Sequence, residues 1–435
     1  MSIQALPGFR DFYPDELAIR SHVFGAMRRV ALRYGFEEYD GPPLEPLELY
    51  TQKSGDEIVG QLYSFTDRGG RAVALRPEMT PSLARIVGPK FSALKKPVRW
   101  FSIPQLFRYE RQQRGRLREH FQLNCDLIGE PGPLGDAEII ALGIDVMREL
   151  GLGATDVRVR ISDRRLLRAI LAEIGLEETQ FGAAFQALDK VGRSEYAPRR
   201  AALAAGGATE PQITRLEGLT AIREWADLER DFPGATSMGQ PLRTTLDALD
   251  AMELGGFLDL DLTIVRGLAY YTGTVFELFD AGRSLRAICG GGRYDGLLAA
   301  VGGTDAPALG FGMGDVVLTE LLRDRSLLPS PSPSADVFVA AVGPEDRPFV
   351  LQLTHQLRDQ GFRVEYALGE QALGKQLKLA DARGARAVVV IGPDDRARGE
   401  AVIRSLEQGS QRSVPTDRVA ASLIELGCSI VAAPA

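Results

Sequence analysis

Five arginines crowd the stretch from Arg108 to Glu119, namely Arg108, Arg111, Arg114, Arg116 and Arg118, against two acids, Glu110 and Glu119. Five positive charges less two leaves +3 in one short segment of a chain whose net charge is −7. Guanidinium groups stay charged at any working pH and present forked donors to paired oxygens, so the pattern suits a polyphosphate, and a triphosphate is the natural ligand. Alternate residues of a strand point to one face, so Arg108 and Glu110 are expected to project together, while the turn at Gly115 brings further arginines from the other side. A solvated charged hairpin is the alternative reading of the same residues.

Three other stretches could carry chemistry. Leu75-Arg76-Pro77-Glu78-Met79-Thr80 puts a carboxylate and a hydroxyl after a strand end, where they could receive the ammonium group of an amino acid; a surface turn is the plain alternative. Between Leu262 and Glu277, Arg266 is a lone charge in an apolar, aromatic run. Such a charge is costly unless partnered, so Arg266 either forms a structural ion pair or meets a ligand anion. Tyr270 and Tyr271 beside it could add a hydroxyl and an aromatic wall to a small-molecule pocket. The glycine-rich runs from Cys289 to Gly296 and from Ala308 to Gly314 let backbone pass close to a ligand or to another strand. Neither is a phosphate loop closed by Gly-Lys-Ser/Thr, and neither has the spacing of a dinucleotide fingerprint.

These residues need a scaffold of strands. Runs at 98–103, 121–128, 258–265, 274–279 and 285–289 read as a largely antiparallel sheet, and residues 14–34 as a helix whose apolar face carries Ile19, Val23, Met27, Val30 and Leu32, so the fold class is α+β. Residues from about 164 to 250 are rich in Leu, Ala and Arg with little strand character, and read as a helical insertion. Pro and Ser alternate from Pro329 to Ser334, a linker signal that ends a first domain of residues 1–328. Beyond it, residues 335–435 alternate strand-like runs (337–342, 362–367, 387–391) with helical ones (347–360, 371–382, 417–426), the pattern of a compact α/β domain.

Composition excludes several classes. No apolar stretch approaches the roughly 20 residues of a membrane span, and the first residues lack the pattern of a secretory signal, so a cytoplasmic protein with no membrane partner is expected. Three cysteines, Cys125, Cys289 and Cys428, are too few and scattered for a disulfide framework, and no Cys or His pair has zinc-ligand spacing, so no metal ligands are assigned. The acidic balance argues against a protein that coats nucleic acid by bulk charge.

Taken together, these stretches resemble the class II aminoacyl-tRNA synthetases, and specifically the histidyl-tRNA synthetase family. The resemblance begins at Pro7-Gly8-Phe9-Arg10-Asp11 and includes a Gly41 to Leu49 segment similar to the dimer-forming motif 1. It takes in the arginine-rich hairpin as motif 2, and segments 265–277 and 288–296 as the two motifs peculiar to the histidyl family. It extends through the C-terminal domain, which is similar to an anticodon-binding domain. There the cluster Lys375, Lys378, Arg383, Arg386, Arg396 and Arg398 would suit RNA phosphates, a solvated helix face being the alternative.

The resemblance implies a class II antiparallel sheet with flanking helices, and a histidine–tRNA ligase that forms histidyl-adenylate from L-histidine and ATP, with Mg2+ on the ATP, and loads tRNA(His) as a homodimer. Arg108 and Arg266 would be catalytic. Glu78, Met79, Thr80, Gln122, Asp126, Tyr270 and Tyr271 would join them in binding histidine, and Arg108, Glu110 and Arg116 would bind ATP. Three positions depart from the family pattern. No arginine follows Gly312-Met313-Gly314-Asp315-Val316-Val317, where motif 3 usually supplies a γ-phosphate anchor; Ala269 stands in place of an acid; and His120-Phe121 reverses the usual order. These variations are similar to those of plant organellar forms. The alternative from another class is a catalytically silent paralogue acting as a regulatory subunit of ATP phosphoribosyltransferase, which the missing motif 3 arginine favours and Arg266, the paired tyrosines and the C-terminal domain oppose.

Overall fold

Pro14 opens a helix where its missing N–H costs nothing, Asp15 and Glu16 sit beside the positive end of the helix dipole, and Arg33 occupies the last turn. In the computed structural model the helix spans Pro14–Arg33 and buries Val23, Ala26, Met27, Val30 and Ala31. Leu32, expected on the apolar face, is exposed, and the two alanines complete that face instead. The structure describes residues 3–51, 59–111, 113–191, 196–265, 270–282, 285–330 and 334–430. The chain divides into two compact units between Pro329 and Ser330.

Strands of the first unit, numbered along the chain, are β1 (Glu37–Glu38), β2 (Leu44–Pro46), β3 (Ser64–Thr66), β4 (Ala72–Leu75), β5 (Val98–Ser102), β6 (Gln105–Phe107), β7 (Glu119–Ile128), β8 (Val157–Asp163), β9 (Leu258–Leu260), β10 (Thr274–Asp280), β11 (Cys289–Arg293) and β12 (Ala308–Gly314). The main sheet runs β1-β5-β7-β12-β11-β10-β8-β9, with β6 paired to one end of β7; β2, β4 and β3 form a small separate sheet. Its pairs are antiparallel except β1 with β5 and β8 with β9 at the two edges. The helix Pro133–Glu149 is buried along most of its length and shares one apolar core with β7, β8, β10 and the helix Pro14–Arg33.

Two strand expectations shift. The run 258–265 yields only β9, because the Asp261 carboxylate accepts hydrogen bonds from Thr263 N at 3.0 Å and Thr263 Oγ1 at 2.6 Å and turns the chain. The run 285–289 is strand only at its last residue, and β11 continues through the glycines to Arg293. Strand propensity disfavours glycine, yet here nothing larger fits: a Cβ at Gly292 would lie 2.6 Å from the Thr274 carbonyl oxygen, and one at Gly291 2.6 Å from Phe311 Cβ.

From residue 164 onward the chain forms helices Arg164–Ile174, Phe181–Asp189, Tyr196–Ala205, Glu210–Gly218, Trp225–Asp231 and Gln240–Ala251. Asp163 caps the first of them, accepting from Arg165 N and Leu166 N, and Gly175, at φ 91°, closes it. Leu166, Leu216, Trp225 and Leu242 pack into the same core as the sheet. Among the described residues no helix is long and apolar enough to cross a membrane.

The second unit has a five-stranded sheet in the order Val364–Tyr366, Val337–Ala341, Ala387–Ile391, Glu400–Ser405, Gln411–Pro415; the first three strands are parallel and the rest antiparallel. Val337 and Val339 face one apolar cluster and Phe338 and Ala340 another, so the central strand is covered on both sides. Asp336 is fully buried at its start, and Arg363 neutralises it at 2.9 Å. Of the last two strands, Gln411–Pro415 is mostly exposed and Glu400–Ser405 buries alternate residues Ala401, Ile403 and Ser405; neither is among the strand-like runs expected from the sequence.

Candidate active site

The arginine-rich segment leaves β6 after Phe107 and returns at Glu119, the start of β7. Arg108 and Glu110 do not continue the strand: Glu110 N bonds back to Arg108 O at 2.8 Å, making a tight bend. Both nevertheless line one cavity of about 880 Å³ together with Arg116, His120 and Gln122. The bend, rather than strand alternation, puts Arg108 and Glu110 on the same side. Arg108 is braced from behind by the Pro77 carbonyl, to which Nε donates at 2.9 Å, which ties the hairpin to the Arg76–Thr80 segment. Arg116 forms an ion pair with Glu110. Two residues from the helical segment, Asp189 and Val191, also reach this cavity.

Strand β7 runs through the site. His120, Gln122, Asn124 and Asp126 alternate along one face, a row spanning roughly 20 Å at about 3.3 Å per residue. Gln122 Nε2 donates to Asn124 Oδ1 at 2.8 Å. At the far end Asp126 accepts a hydrogen bond from Tyr294 OH, while its Oδ2 has no hydrogen-bond partner among the described residues. Tyr294 meets the ring of Tyr270 edge-on at 6.0 Å, Tyr270 lies 5.1 Å from Tyr271, and Tyr270 OH donates to Glu78 Oε2 at 3.3 Å. Glu78, Asp126, Tyr270, Tyr271 and Tyr294 thus form a polar, aromatic cluster whose acidic groups are buried.

Glycines of β12 make room for this row. Gly310 lies opposite Asp126 and Gly312 opposite Asn124, and a Cβ at Gly312 would collide with the Gln122 amide. The glycine runs flagged in the sequence therefore serve close side-chain passage between strands.

Burial pushes the Asp126 carboxyl up to about 7, against the stabilising hydrogen bond from Tyr294. His120 is driven the other way, down to about 3, first by loss of solvent and then by repulsion from Arg108, with the contact to Gln122 opposing. A neutral imidazole amid arginines adds no further positive charge there, and the ring lends the cavity wall a polar edge.

Some expected site residues fall elsewhere. Met79 is fully buried and its sulfur lies 3.9 Å from Arg76 Nη1, a core position and not a wall of the cavity. Thr80 is part-buried and opens the helix Thr80–Val87 next to Glu78. Arg266 and Ala269 lie outside the described residues, as do linker residues 331–333. At the position of the absent motif 3 arginine, Val316 and Val317 line the cavity with aliphatic surface, and Asp315 is buried in an ion pair with Arg10 at 2.9 Å. In the second unit, Arg383, Arg386, Arg396 and Arg398 already have the carboxylate partners Glu365, Asp336, Asp346 and Asp395, so the basic cluster is largely compensated. Sequence reasoning did not select Tyr294, although it sits within the glycine-rich run, or Tyr39, which packs 5.4 Å from Trp100 and faces Asp126.

Among the described residues no group of three or more His, Cys, Asp or Glu side chains could hold a metal ion by itself. Three carboxylates, Glu110, Asp189 and Glu277, line the cavity. That fits a magnesium ion arriving on phosphates, which keeps water and phosphate oxygens and needs only one or two protein carboxylates.

Residues 8–315 match the family model described as histidyl-tRNA synthetase, and residues 336–426 match that of an anticodon binding domain. A histidine–tRNA ligase of Opitutus terrae is 45% identical over 428 residues, covering 97% of this chain and 98% of that protein. The chloroplastic/mitochondrial histidine–tRNA ligase of Arabidopsis thaliana is 39% identical over 407 residues, 94% of this chain and 84% of its own length. Among solved structures, the histidyl-tRNA synthetase from Nostoc sp. PCC 7120 superposes with a TM-score of 0.83 at 26% identity, covering 98% of this chain and 99% of that one.

Proposed function

The chain belongs to the histidyl-tRNA synthetase family, and from that premise we propose that it activates L-histidine with ATP and transfers the histidyl group to the 3′ end of tRNA(His). The observation that carries this reading is β7, one face of which runs from the arginine-bearing cavity around Arg108 to the buried cluster of Asp126, Tyr270 and Glu78. A reaction between two substrates, a polyphosphate and a small polar amino acid, uses both.

Histidine lies with its ammonium group toward Glu78 and Thr80 and its imidazole N–H toward Oδ2 of Asp126, a buried acceptor with no hydrogen-bond partner among the described residues. Tyr270, Tyr271 and Tyr294 enclose the ring. A pocket built to hydrogen-bond the imidazole rejects apolar isosteres, because they leave its buried acceptors unpaired. Gln122 lies between this pocket and the phosphates.

The histidine carboxylate attacks the α-phosphorus of ATP in line with the departing pyrophosphate, forming the acyl–phosphate bond as the α–β bridging P–O bond breaks. Arg108, held in place by the Pro77 carbonyl, offsets the charge that builds on the pentacoordinate centre, in concert with Arg266 as the family resemblance implies. Arg116 takes the outer phosphates. Glu110 and Glu277 would hold magnesium, which when bound neutralises phosphate charge. A terminal ribose hydroxyl of the tRNA then attacks the activated carbonyl and AMP leaves. The second unit carries the tRNA's anticodon end, and the enzyme works in the cytoplasm as a homodimer.

Histidine-dependent exchange of labelled pyrophosphate into ATP tests the reading. Exchange with histidine and none with other amino acids is the expected result. A folded protein that exchanges nothing with magnesium present overturns it in favour of a regulatory subunit of ATP phosphoribosyltransferase.

A further inference from the structure

We infer that Arg286 is an ATP-phosphate ligand, supplying from the segment before β11 the cation that the start of the helix Asp315–Asp324 lacks; the inference rests on the ligase reading above. Four arginines line the large cavity: Arg108, Arg116, Arg160 and Arg286. Arg116 is matched by Glu110 and Arg160 by Asp261. Arg108 and Arg286 have no carboxylate partner among the described residues. An uncompensated guanidinium facing a cavity raises the local concentration of anions and gains most from a ligand that brings its own negative charge.

Arg286 is also in the right part of the cavity. Its Nη2 donates to the side chain of Gln113, and Gln113 bridges to Arg116 across the turn of the arginine hairpin. Arg286 and Arg116 therefore flank one hairpin tip, away from the Asp126 end of β7. Two other cations nearby are committed to carboxylates. Arg10 is held by Glu119 at 2.6 Å and Asp315 at 2.9 Å, and Arg114 reaches Glu320 at 3.2 Å and Asp324 at 3.4 Å. The wall made by Val316 and Val317 offers a phosphate nothing. Outer phosphates lying against that wall have Arg116, already shared with Glu110, and Arg286. Its partner Gln113 carries no charge, so exchanging that bond for bonds to a phosphate adds an attraction between opposite charges that the amide does not supply.

Kinetics of Arg286→Gln and Arg286→Lys in the full-length protein decide the matter. Loss of one charge-assisted contact is expected to raise KM for ATP, and KM for pyrophosphate in the reverse reaction, by about tenfold to a hundredfold in Arg286→Gln. Arg286→Lys recovers part of the loss, and KM for histidine stays within about twofold of wild type, as a merely structural lesion would not arrange. Unchanged KM values for both ATP and pyrophosphate in Arg286→Gln, beside an active wild type, overturn the inference and leave the ligase reading standing. If the wild type itself shows no exchange, the ligase reading falls, and magnesium–ATP binding by calorimetry judges Arg286 alone. An equal dissociation constant in wild type and Arg286→Gln rejects it, and a weaker one in the variant upholds it as a nucleotide contact.

Discussion

Asp126 on β7 faces Gly310 on β12, and a Cβ at Gly310 would lie 2.6 Å from the Cys125 carbonyl oxygen and closer still to Asp126 Oδ1. Gly310→Ala is therefore expected to destabilise the protein by about 1–3 kcal/mol through overpacking, and to displace the carboxylate enough to raise KM for histidine about tenfold. Urea denaturation and steady-state kinetics measure the two effects. Gly182 is a suitable control: an added Cβ there meets nothing within 4 Å in a helix, so Gly182→Ala should stabilise by roughly 0.5–1 kcal/mol. Equal behaviour of the two variants would remove the steric argument.

The Asp126 carboxyl titrates near 7 in the folded protein against 3.8 for an unperturbed one. Between those values the folded state holds a proton that the unfolded chain has released, so this group makes the protein less stable as pH rises, and the penalty is complete above about pH 7. Asp126→Asn carries no such penalty. Its stability relative to wild type should improve by on the order of 2 kcal/mol between pH 5 and pH 8, while its affinity for histidine drops. Denaturation midpoints of both proteins at the two pH values check the sign.

His120 has the opposite linkage. Its folded pKa, near 3, lies below the unperturbed 6.5, so the unfolded chain takes up a proton that the folded one refuses, and stability falls as pH drops through 6.5. Replacing it with Gln should lessen the acid-induced loss between pH 7 and pH 5 by about 1 kcal/mol, a value discounted for the part of the ring that solvent reaches. A variant with the same acid sensitivity as wild type would place the loss on other groups.

Arg293 and Asp136 form an ion pair at 2.7 Å with 2% and 4% of their surfaces exposed, and Arg293 also donates to the carbonyls of Glu130 and Gly132. Arg293→Met leaves a carboxylate buried without its cation and should cost about 3–5 kcal/mol. The double variant Arg293→Met with Asp136→Leu should regain much of that loss. Thermal unfolding of the single and double variants reads the difference.

How much of this the sequence discloses depends on how local each signal is. The arginine crowd at 108–118, the Glu78 turn, the tyrosine pair and the Pro/Ser boundary are contiguous, and their chemistry can be read from neighbours alone. The partner of Arg10 cannot: Glu119 and Asp315 are 109 and 305 residues away, and only the folded sheet brings them together. Strand β11 hides because steric exclusion between neighbouring strands, and not β-propensity, dictates its glycines. Tyr39 has no local signal at all. Arg108 and Glu110 share the cavity for a different reason from the one their spacing suggests, since a backbone bend replaces the alternation of a strand.

Where β11 and β12 lie side by side, Gly290 faces Gly312 and Gly292 faces Gly310, so much of the platform beneath the substrate is peptide backbone. A surface of that kind offers mutation almost no side chains to alter; at Gly292, Gly310 and Gly312 a change can only add atoms that do not fit. Cations at the rim carry no such restriction. Evolution can hand the phosphate-holding duty from one rim segment to another while the platform stays as it is, and a missing arginine in one motif then marks a relocated function and not a lost one.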